Sequence, residues 1–192
     1  MLDAEKMQRH KFYENVNEDQ KAEFINGKII IHAPVMLRHN EASFNLANLI
    51  RVYVQKHDLG LVGYEKLMIQ LTRNDYEPDI CFFCKEKSQH FKPDQLFFPT
   101  PDFVVEVLSK STENTDRTIK FEDYQAHGVN EYWIVDPEDC FIEQYVLKDK
   151  QYKLLLKSGS GVIRSVTIEG FEIPLNAIFD KTVNYQILRS FL

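Results

Sequence analysis

Hydrophobic positions recur with helical spacing in two parts of the chain. From His39 to His57, apolar side chains fall three and four residues apart on one helical face: Leu46, Leu49, Ile50, Tyr53 and Val54. This pattern predicts a long helix that buries that face and ends at Gly60. A second helix is expected from Asp116 to His127, where Gly128 can end it because glycine readily adopts a left-handed conformation.

The amino-terminal region predicts a short helix and then a tight β-hairpin. The helix covers about Asp3 to Glu14, and a polar break follows it through Asn15, Asn17 and Asp19. Asn26-Gly27 separates two apolar segments, and this pair favours a tight turn because both turn positions need a positive φ. Proline cannot donate to a strand ladder, so Pro34 is expected to end the second hairpin strand.

Further apolar runs predict the strands of a sheet. Three precede the second helix: Val62 to Leu71, Ile80 to Cys84 and Phe103 to Leu108. The last two are continuous apolar runs, as expected for strands buried on both faces of a sheet. The polar segment from Lys85 to Thr100 between them predicts a loop of the kind that often borders a site.

The remaining sequence completes a mixed arrangement of helices and strands. Tyr132 to Val135 predicts a strand after the second helix. Four antiparallel strands are expected beyond it: Phe141 to Leu147, Tyr152 to Leu156, Val162 to Ile168 and Phe171 to Ile173. This order predicts an α/β fold in which helices flank a mixed sheet. A length of 192 residues suits one core, so a single domain over residues 1–192 is expected.

Composition indicates where in the cell the protein is expected and how it could bind nucleic acid. The three cysteines are an odd number, and Cys81 and Cys84 fall in an apolar run, which favours reduced core residues of a cytoplasmic protein. No run of about 18 apolar residues occurs, so no membrane association is predicted. The net charge of −6 means that any contact with DNA must use a local cluster of basic side chains.

Two carboxylates beside or within the buried strands are candidates for a metal site. Asp79 follows Pro78 at the head of one strand, and Glu106 lies inside another. Burying these charges is costly without a positive partner, and a divalent cation between them would keep both ionised. Oxygen ligands of this type suit Mg²⁺ or Mn²⁺. The alternatives are a strand-end role for Asp79 and a structural Arg or Lys that neutralises Glu106.

Such a metal would suit phosphodiester hydrolysis, because it can polarise a phosphoryl oxygen and lower the pKa of a bound water. A lysine nearby would orient that water or stabilise the developing charge. Lys120 is the candidate, since it lies about one turn into the helix that follows the Glu106 strand. The alternative is an ordinary solvated lysine.

The order of these residues resembles the signature of the PD-(D/E)XK nuclease superfamily. The chain is also similar to a bacterial family of restriction endonuclease-like (Uma-type) proteins over roughly Glu23 to Phe179. The stretches that carry this resemblance are Glu23 to Gly27, Pro34 followed by His39, Pro78-Asp79-Ile80, Pro101 to Ser109, Lys120, Tyr124 and Gly128 to Pro137.

The resemblance implies an αβββαβ core with added antiparallel hairpins, and DNA as the substrate. It implies a metal at Asp79 and Glu106, with Glu23 as a further acidic residue of the catalytic site. The superfamily pattern has a lysine two residues after the glutamate. This chain has Leu108 there, so the catalytic lysine would be Lys120.

Two other functions fit the same residues. One is a non-catalytic module that binds nucleic acid or a protein, which Leu108 and the acidic net charge favour. The other is a metal-dependent hydrolase of a small phosphate ester. A homodimer is expected for the endonuclease, because cleavage of both strands of a duplex calls for two sites. His39 is expected at the surface, and the alternative is a neutral imidazole that contacts phosphate or substrate. Glu23 is as well explained by a solvated strand position as by a functional one.

Overall fold

The computed structural model describes residues 3–16 and 20–192, so Asn17 and Asp19 of the expected polar break lie outside it. The helices are α1 (Asp3–Asn15), α2 (Leu37–His57), α3 (Lys85–Ser88), α4 (Glu113–Thr115), α5 (Phe121–Ala126) and α6 (Lys181–Phe191). A π-helical turn (Asp116–Lys120) joins α4 to α5, and a 3-10 helix (Leu175–Ile178) precedes α6. None of the described helices is long and apolar enough to cross a membrane.

The strands form two larger sheets and one small hairpin. They are β1 (Ala22–Ile25), β2 (Lys28–Ile31), β3 (Gly60–Tyr64), β4 (Met68–Gln70), β5 (Asp75–Tyr76), β6 (Ile80–Cys84), β7 (Phe97–Phe98), β8 (Phe103–Val107), β9 (Glu131–Asp136), β10 (Phe141–Lys148), β11 (Gln151–Ser158), β12 (Val162–Arg164) and β13 (Glu172–Pro174). The orders are β11-β10-β9-β8-β6-β3, β2-β1-β5-β4-β7 and β12-β13.

The six-stranded sheet contains the expected core. Along the chain, α2, β3, β6, β8, α5 and β9 follow the order αβββαβ. Strand β6 pairs antiparallel with β3 and β8, whereas β9 lies parallel to β8. A parallel neighbour needs a crossover connection, and the segment containing α5 supplies it. The predicted mixed α/β fold is confirmed.

The two faces of strand β8 lie in different environments. Phe103, Val105 and Val107 pack in a core with residues of α2 and the 3-10 helix. Val104 packs on the opposite face with Tyr124 of α5. Successive side chains alternate between faces, so Glu106 shares the face of Val104 and points towards the helical segment after β8.

The five-stranded sheet brings the amino-terminal hairpin beside this face. Asn26 and Gly27 have φ values of 49° and 80°, which confirms the predicted tight turn. Phe24 of β1 lies opposite Asp75 of β5, so the hairpin continues the sheet. Glu23 is held by this sheet at a position only 1% exposed.

Four expectations about local structure are wrong. The expected strand Val62 to Leu71 is two strands in different sheets, because the chain turns at Glu65, whose φ is 53°. The segment from Lys85 to Thr100 contains α3 and β7 as well as loop. Helix α2 ends at Asp58, which adopts the left-handed conformation, rather than at Gly60. Strand β12 covers only Val162–Arg164 of the strand expected there.

Candidate active site

Asp79 is fixed at the point where the ladder between β6 and β8 ends. The pairing reaches Ile80 opposite Val105. Pro78, two residues before Ile80, has no N–H to continue a ladder. Val107 N instead donates to Asp79 Oδ2 at 2.8 Å, so a carboxylate replaces a backbone acceptor. This bond places the Asp79 side chain beside the strand that carries Glu106.

Two basic side chains contact Asp79. Lys21 Nζ lies 2.9 Å from Oδ1, and His39 Nε2 lies 3.5 Å from Oδ2. Burial by itself would raise the pKa of Asp79, but the hydrogen bond from His39 and the charge of Lys21 hold it well below its usual range. Asp79 is therefore an ionised carboxylate although it is only 4% exposed.

Lys120 lies at the centre of a second group of carboxylates. Its Nζ atom is 3.0 Å from Glu106 Oε1, 3.0 Å from Glu23 Oε1 and 3.3 Å from Asp116 Oδ1. Tyr124 donates its hydroxyl hydrogen to Glu106 Oε1 at 3.0 Å. Asp116, Lys120 and Tyr124 recur at four-residue intervals along the π-helical turn and α5, so one helical face supplies all three.

The electrostatic balance of this group is negative. Burial would lower the pKa of Lys120, but Glu106, Glu23 and Asp116 outweigh it and keep the ammonium charged. Burial raises the pKa of Glu106 well above its ordinary value, and the neighbouring carboxylates of Asp116, Asp79 and Glu23 add to that rise against the effect of Lys120. Lys120 and His32 outweigh burial at Glu23 and lower its pKa to about 2. One ammonium thus faces three buried carboxylates, which favours a further cation.

The donor set fits a magnesium-type ion. It consists of carboxylate oxygens, and Asp116 Oδ1 is buried without a hydrogen-bond partner among the described residues. Lys120 and Tyr124 both contact Oε1 of Glu106, so these two groups leave Oε2 unengaged. Within the described ranges no three His, Cys, Asp or Glu side chains form a ready-made metal cluster. Magnesium commonly binds one or two carboxylates with waters and substrate phosphate, so Asp79 and Glu106 suffice.

The site opens into two neighbouring cavities. The larger, of about 630 Å³, is lined by Asp79, Glu106, Lys120 and Lys21 among others. The smaller, of about 430 Å³, lies against the hairpin and is lined by Glu23, Asp116 and Lys120. Lys120 and Asp116 border both cavities, so the buried charges lie between them.

Comparison with known proteins gives the family of the chain. A family model described as "Putative restriction endonuclease" (Uma2) matches residues 5–176. The chain belongs to the Uma2 family. This result confirms the resemblance drawn from the sequence motifs.

Individual relatives agree with this membership. Two uncharacterized proteins of Synechocystis sp. are 28% identical over 138 residues (70% of this chain, 77% of the relative) and 32% identical over 141 residues (71% and 72%). A crystal structure described as "a putative nuclease belonging to DUF820", from Anabaena variabilis, has a TM-score of 0.75 and 17% identity. The match covers 93% of this chain and 97% of that one. At this identity the likeness shows a shared fold.

The four residues expected at the site of this Uma2 chain lie together. Lys120 contacts Glu106 directly, and Glu23 lies on the other side of the same ammonium group. Glu23 is buried, so the solvated strand position is wrong. Lys120 contacts Glu106 in the way expected of a structural lysine that neutralises this carboxylate. The catalytic and metal-binding roles of Asp79, Glu106, Lys120 and Glu23 therefore stay predictions, and measurements of metal binding and DNA cleavage must test them.

Other parts of the Uma2 site went unrecognised in the sequence. His39, expected at the surface, is 5% exposed and contacts Asp79, because the first turn of α2 packs against the end of β6. Lys21 and Asp116 were not identified as site residues. Asp116 had a usable signal, since it lies four residues before Lys120 on the same predicted helix. Lys21 had none, because only the fold brings it to Asp79.

The pKa of His39 gives a direct test of this geometry. Burial would lower the pKa of His39, but the hydrogen bond and charge of Asp79 raise it above the ordinary value. We expect NMR titration of the His39 imidazole to show this raised pKa. In Asp79→Asn the charge is lost while burial stays, so the pKa should fall below the ordinary value. An unchanged titration in Asp79→Asn would contradict the contact.

Proposed function

We propose that this Uma2 chain is a magnesium-dependent DNA endonuclease that hydrolyses phosphodiester bonds. The observation that carries the proposal is the meeting of Asp79, Glu106 and Lys120 in one buried site beside an open cavity. The family description and the fold shared with a protein described as a nuclease support a nuclease-like role.

Asp79 and Glu106 would hold the metal ion, with Mn²⁺ as a substitute. When bound, Mg²⁺ polarises a phosphoryl oxygen and lowers the pKa of a water ligand. The chain keeps Asp79 ionised for this purpose through Lys21 and His39. Tyr124 orients Glu106 by donating to one carboxylate oxygen and leaving the other for the ion.

Lys120 has the role of orienting the attacking water and stabilising charge on the phosphoryl group. Its ammonium is already fixed by Glu23 and Asp116, so little reorganisation is needed when the substrate arrives. Glu23 acts in this scheme by positioning Lys120, and it stays available as a further acidic group at the site. Leu108, where the superfamily pattern has lysine, is buried in the core beside Tyr124.

The substrate backbone would bind through local basic groups. Lys110 and Arg38 are exposed and line the larger cavity, and Lys28 is exposed and lines the smaller one. These cations lie around the mouths of cavities whose floor is acidic. Phosphate groups attracted to them would be held near the metal while the net charge of −6 limits nonspecific association. We also propose a cytoplasmic location, which fits free Cys81, Cys84 and Cys140.

Calorimetric titration with Mn²⁺ or Mg²⁺, paired with a plasmid-nicking assay, tests the proposal. We expect wild type to bind the ion and nick DNA, and Asp79→Asn to lose both. Asp102→Asn is the matched control. Asp102 is also buried, but it accepts hydrogen bonds from Cys84 N and Lys87 Nζ at a strand entry, outside the site. Absence of specific ion binding in wild type would rule out the metal mechanism.

A non-catalytic nuclease-fold module is the second candidate. The observation in its favour is that Lys120 is engaged by three carboxylates in a site without a ready-made metal cluster among the described residues. This candidate predicts DNA binding without nicking in wild type, and no dependence of DNA binding on Mg²⁺. A metal-dependent hydrolase of small phosphate esters would instead show ion binding and ester cleavage with intact plasmid.

A further inference from the structure

The free edge of the five-stranded sheet is strand β2, and its composition is unusual for an exposed edge. Ile29, Ile30 and Ile31 are 48%, 39% and 59% exposed, and Lys28 is exposed as well. Among residues 3–16 and 20–192, the one strand that pairs with β2 is β1. An exposed apolar edge is a template for pairing with another chain, which soluble proteins usually prevent.

The other sheet edges carry the usual protection. Strand β11 has Lys153 and Lys157 along its length, and its pairing with β10 is irregular at Gln144/Tyr145. Strand β7 has two residues, and β3 is largely half-buried. Short edges, charged side chains and bulges all oppose edge-to-edge association. Strand β2 has a single charged residue, Lys28 at its start, and its other three residues are exposed isoleucines.

The hydrogen-bonding groups of β2 point in known directions. His32 N donates to Lys21 O, which lies on β1's side of the hairpin. Along a strand, residues whose backbone N–H and C=O groups point to one neighbour alternate with residues whose groups point away from it. Lys28 and Ile30 therefore also bond to β1. The N–H and C=O groups of Ile29 and Ile31 therefore point to the free edge. They offer two donors and two acceptors.

We propose that β2 pairs antiparallel with β2 of a second copy, about a twofold axis through Ile30. In this register the outward groups of Ile29 meet those of Ile31 in the other copy, and each copy donates and accepts equally. A strand whose central residues are three isoleucines is self-complementary in this way, as a twofold interface requires.

The segment that follows the hairpin adds further exposed apolar side chains. Val35, Met36 and Leu37, which follow the hairpin, are 47%, 57% and 71% exposed. Ile31, Val35 and Met36 line the same cavity, so exposed apolar side chains continue from β2 into the segment after it. A standard interface takes about 800 Å² from each partner, with an apolar centre and a polar rim. Lys28 and Arg38 are the exposed polar groups beside this centre.

The proposed dimer brings the two candidate sites to one face. Ile30 lies opposite Glu23 of β1, so its side chain is on the face of the sheet that carries the site. A twofold axis perpendicular to the paired strands leaves both sites on that face. The second copy's Ile30 then lies beside the smaller cavity, which Ile30 and Glu23 line. The dimer itself does not rest on the proposed nuclease function, but its use for cutting both strands of a duplex does.

Sedimentation velocity over a range of protein concentrations tests the proposal. We expect wild type to be a dimer and Ile29→Lys to weaken its association by about tenfold or more, because the two lysines lie diagonally across the axis, roughly 7–8 Å apart, and each faces Ile31 of the other copy. Ile31→Pro should also give monomer, since it removes an outward N–H and leaves the bonds to β1 intact. Leu154→Lys is the matched control, because Leu154 is 53% exposed on the edge strand β11. It should stay dimeric.

Disulfide trapping tests the register. We expect Ile30→Cys, in a Cys140→Ser background, to form an intermolecular disulfide under mild oxidation, because directly opposite Cβ atoms lie about 4.5–5.5 Å apart. Leu154→Cys in the same background should stay reduced. A monomeric wild type, or folded Ile29→Lys and Ile31→Pro variants that stay dimeric, would overturn the proposal. Ion binding and plasmid nicking by wild type are scored separately, so loss of the dimer and loss of the nuclease are distinguishable.

Discussion

Replacement of Lys120 by methionine is expected to lower the free energy of unfolding by about 3–5 kcal/mol at pH 7, in the presence of a chelator. Methionine preserves most of the side-chain volume but removes the charge. Glu106, Glu23 and Asp116 would then be buried together without the ammonium that contacts all three. Removing one partner of a buried ion pair leaves an uncompensated charge, which is the costly case.

The loss of unfolding free energy in Lys120→Met should depend on pH in a defined direction. Without Lys120 the folded-state pKa values of Glu106 and Asp116 rise further, and the pKa of Glu23 loses the largest influence that lowers it, so the group binds more protons in the folded state than in the unfolded one. Such groups contribute stability below their unfolded pKa and lose it as pH rises. The difference between Lys120→Met and wild type should therefore be small near pH 4 and largest at neutral pH. Urea denaturation at several pH values measures it.

Lys157→Met provides the control for this experiment. Lys157 Nζ lies 2.8 Å from Glu143 Oε1, but its side chain is 55% exposed. Glu143 is 3% exposed, but Arg117 also lies 3.0 Å from it, so loss of Lys157 leaves no unpaired buried charge and this variant should unfold close to wild type. Equal effects of Lys120→Met and Lys157→Met would show that the Lys120 contacts do not form in solution.

The parts of the fold that the sequence predicts best are those with strong local signals. Continuous apolar runs mark β6 and β8, and the Asn26-Gly27 pair marks the hairpin with its turn type. Asp79 and Glu106 stand out for the same reason, because a carboxylate next to or inside such a run needs an explanation. Lys120 follows from the expectation that its helix packs on the sheet.

The features that the sequence predicts wrongly or does not reveal depend on contacts between segments that are distant along the chain. Strand β3 leaves its sheet at Glu65, where an ordinary polar residue adopts a positive φ, and no glycine marks the turn. Lys21 reaches Asp79 only because the hairpin folds beside the end of β6. His39 lies in the first turn of α2, where the helix dipole disfavours a cation, yet the charge of Asp79 compensates for its burial.

Substitution of the two proposed metal ligands is expected to change stability in opposite directions while abolishing nicking in both cases. The pKa of Glu106 is raised by burial and by neighbouring carboxylates, so its charge destabilises the fold at neutral pH. Glu106→Gln removes that charge and can still accept from Tyr124 and Lys120. We expect it to raise the free energy of unfolding by about 1–2 kcal/mol in the presence of a chelator.

Asp79→Asn should instead lower the free energy of unfolding. The pKa of Asp79 is lowered because His39 and Lys21 outweigh burial, so its charge stabilises the fold above its unfolded pKa, and that stability is lost as pH falls. The variant should lose on the order of 2 kcal/mol at pH 7 and approach wild type in acid. Glu106→Gln should likewise gain nothing in acid, where Glu106 is already protonated.

Thermal unfolding of both variants, with chelator and then with added Mn²⁺, separates the effect of each substitution on stability from its effect on ion binding. Wild type should gain stability from the ion, because a ligand that binds only the folded state shifts the equilibrium towards it. Neither variant should gain it. If Glu106→Gln were destabilised in chelator, Glu106 would be part of a structural ion pair with Lys120. If Glu106→Gln is stabilised and no longer responds to Mn²⁺, the buried charge of Glu106 is unfavourable in the metal-free protein and is compensated by the bound metal ion.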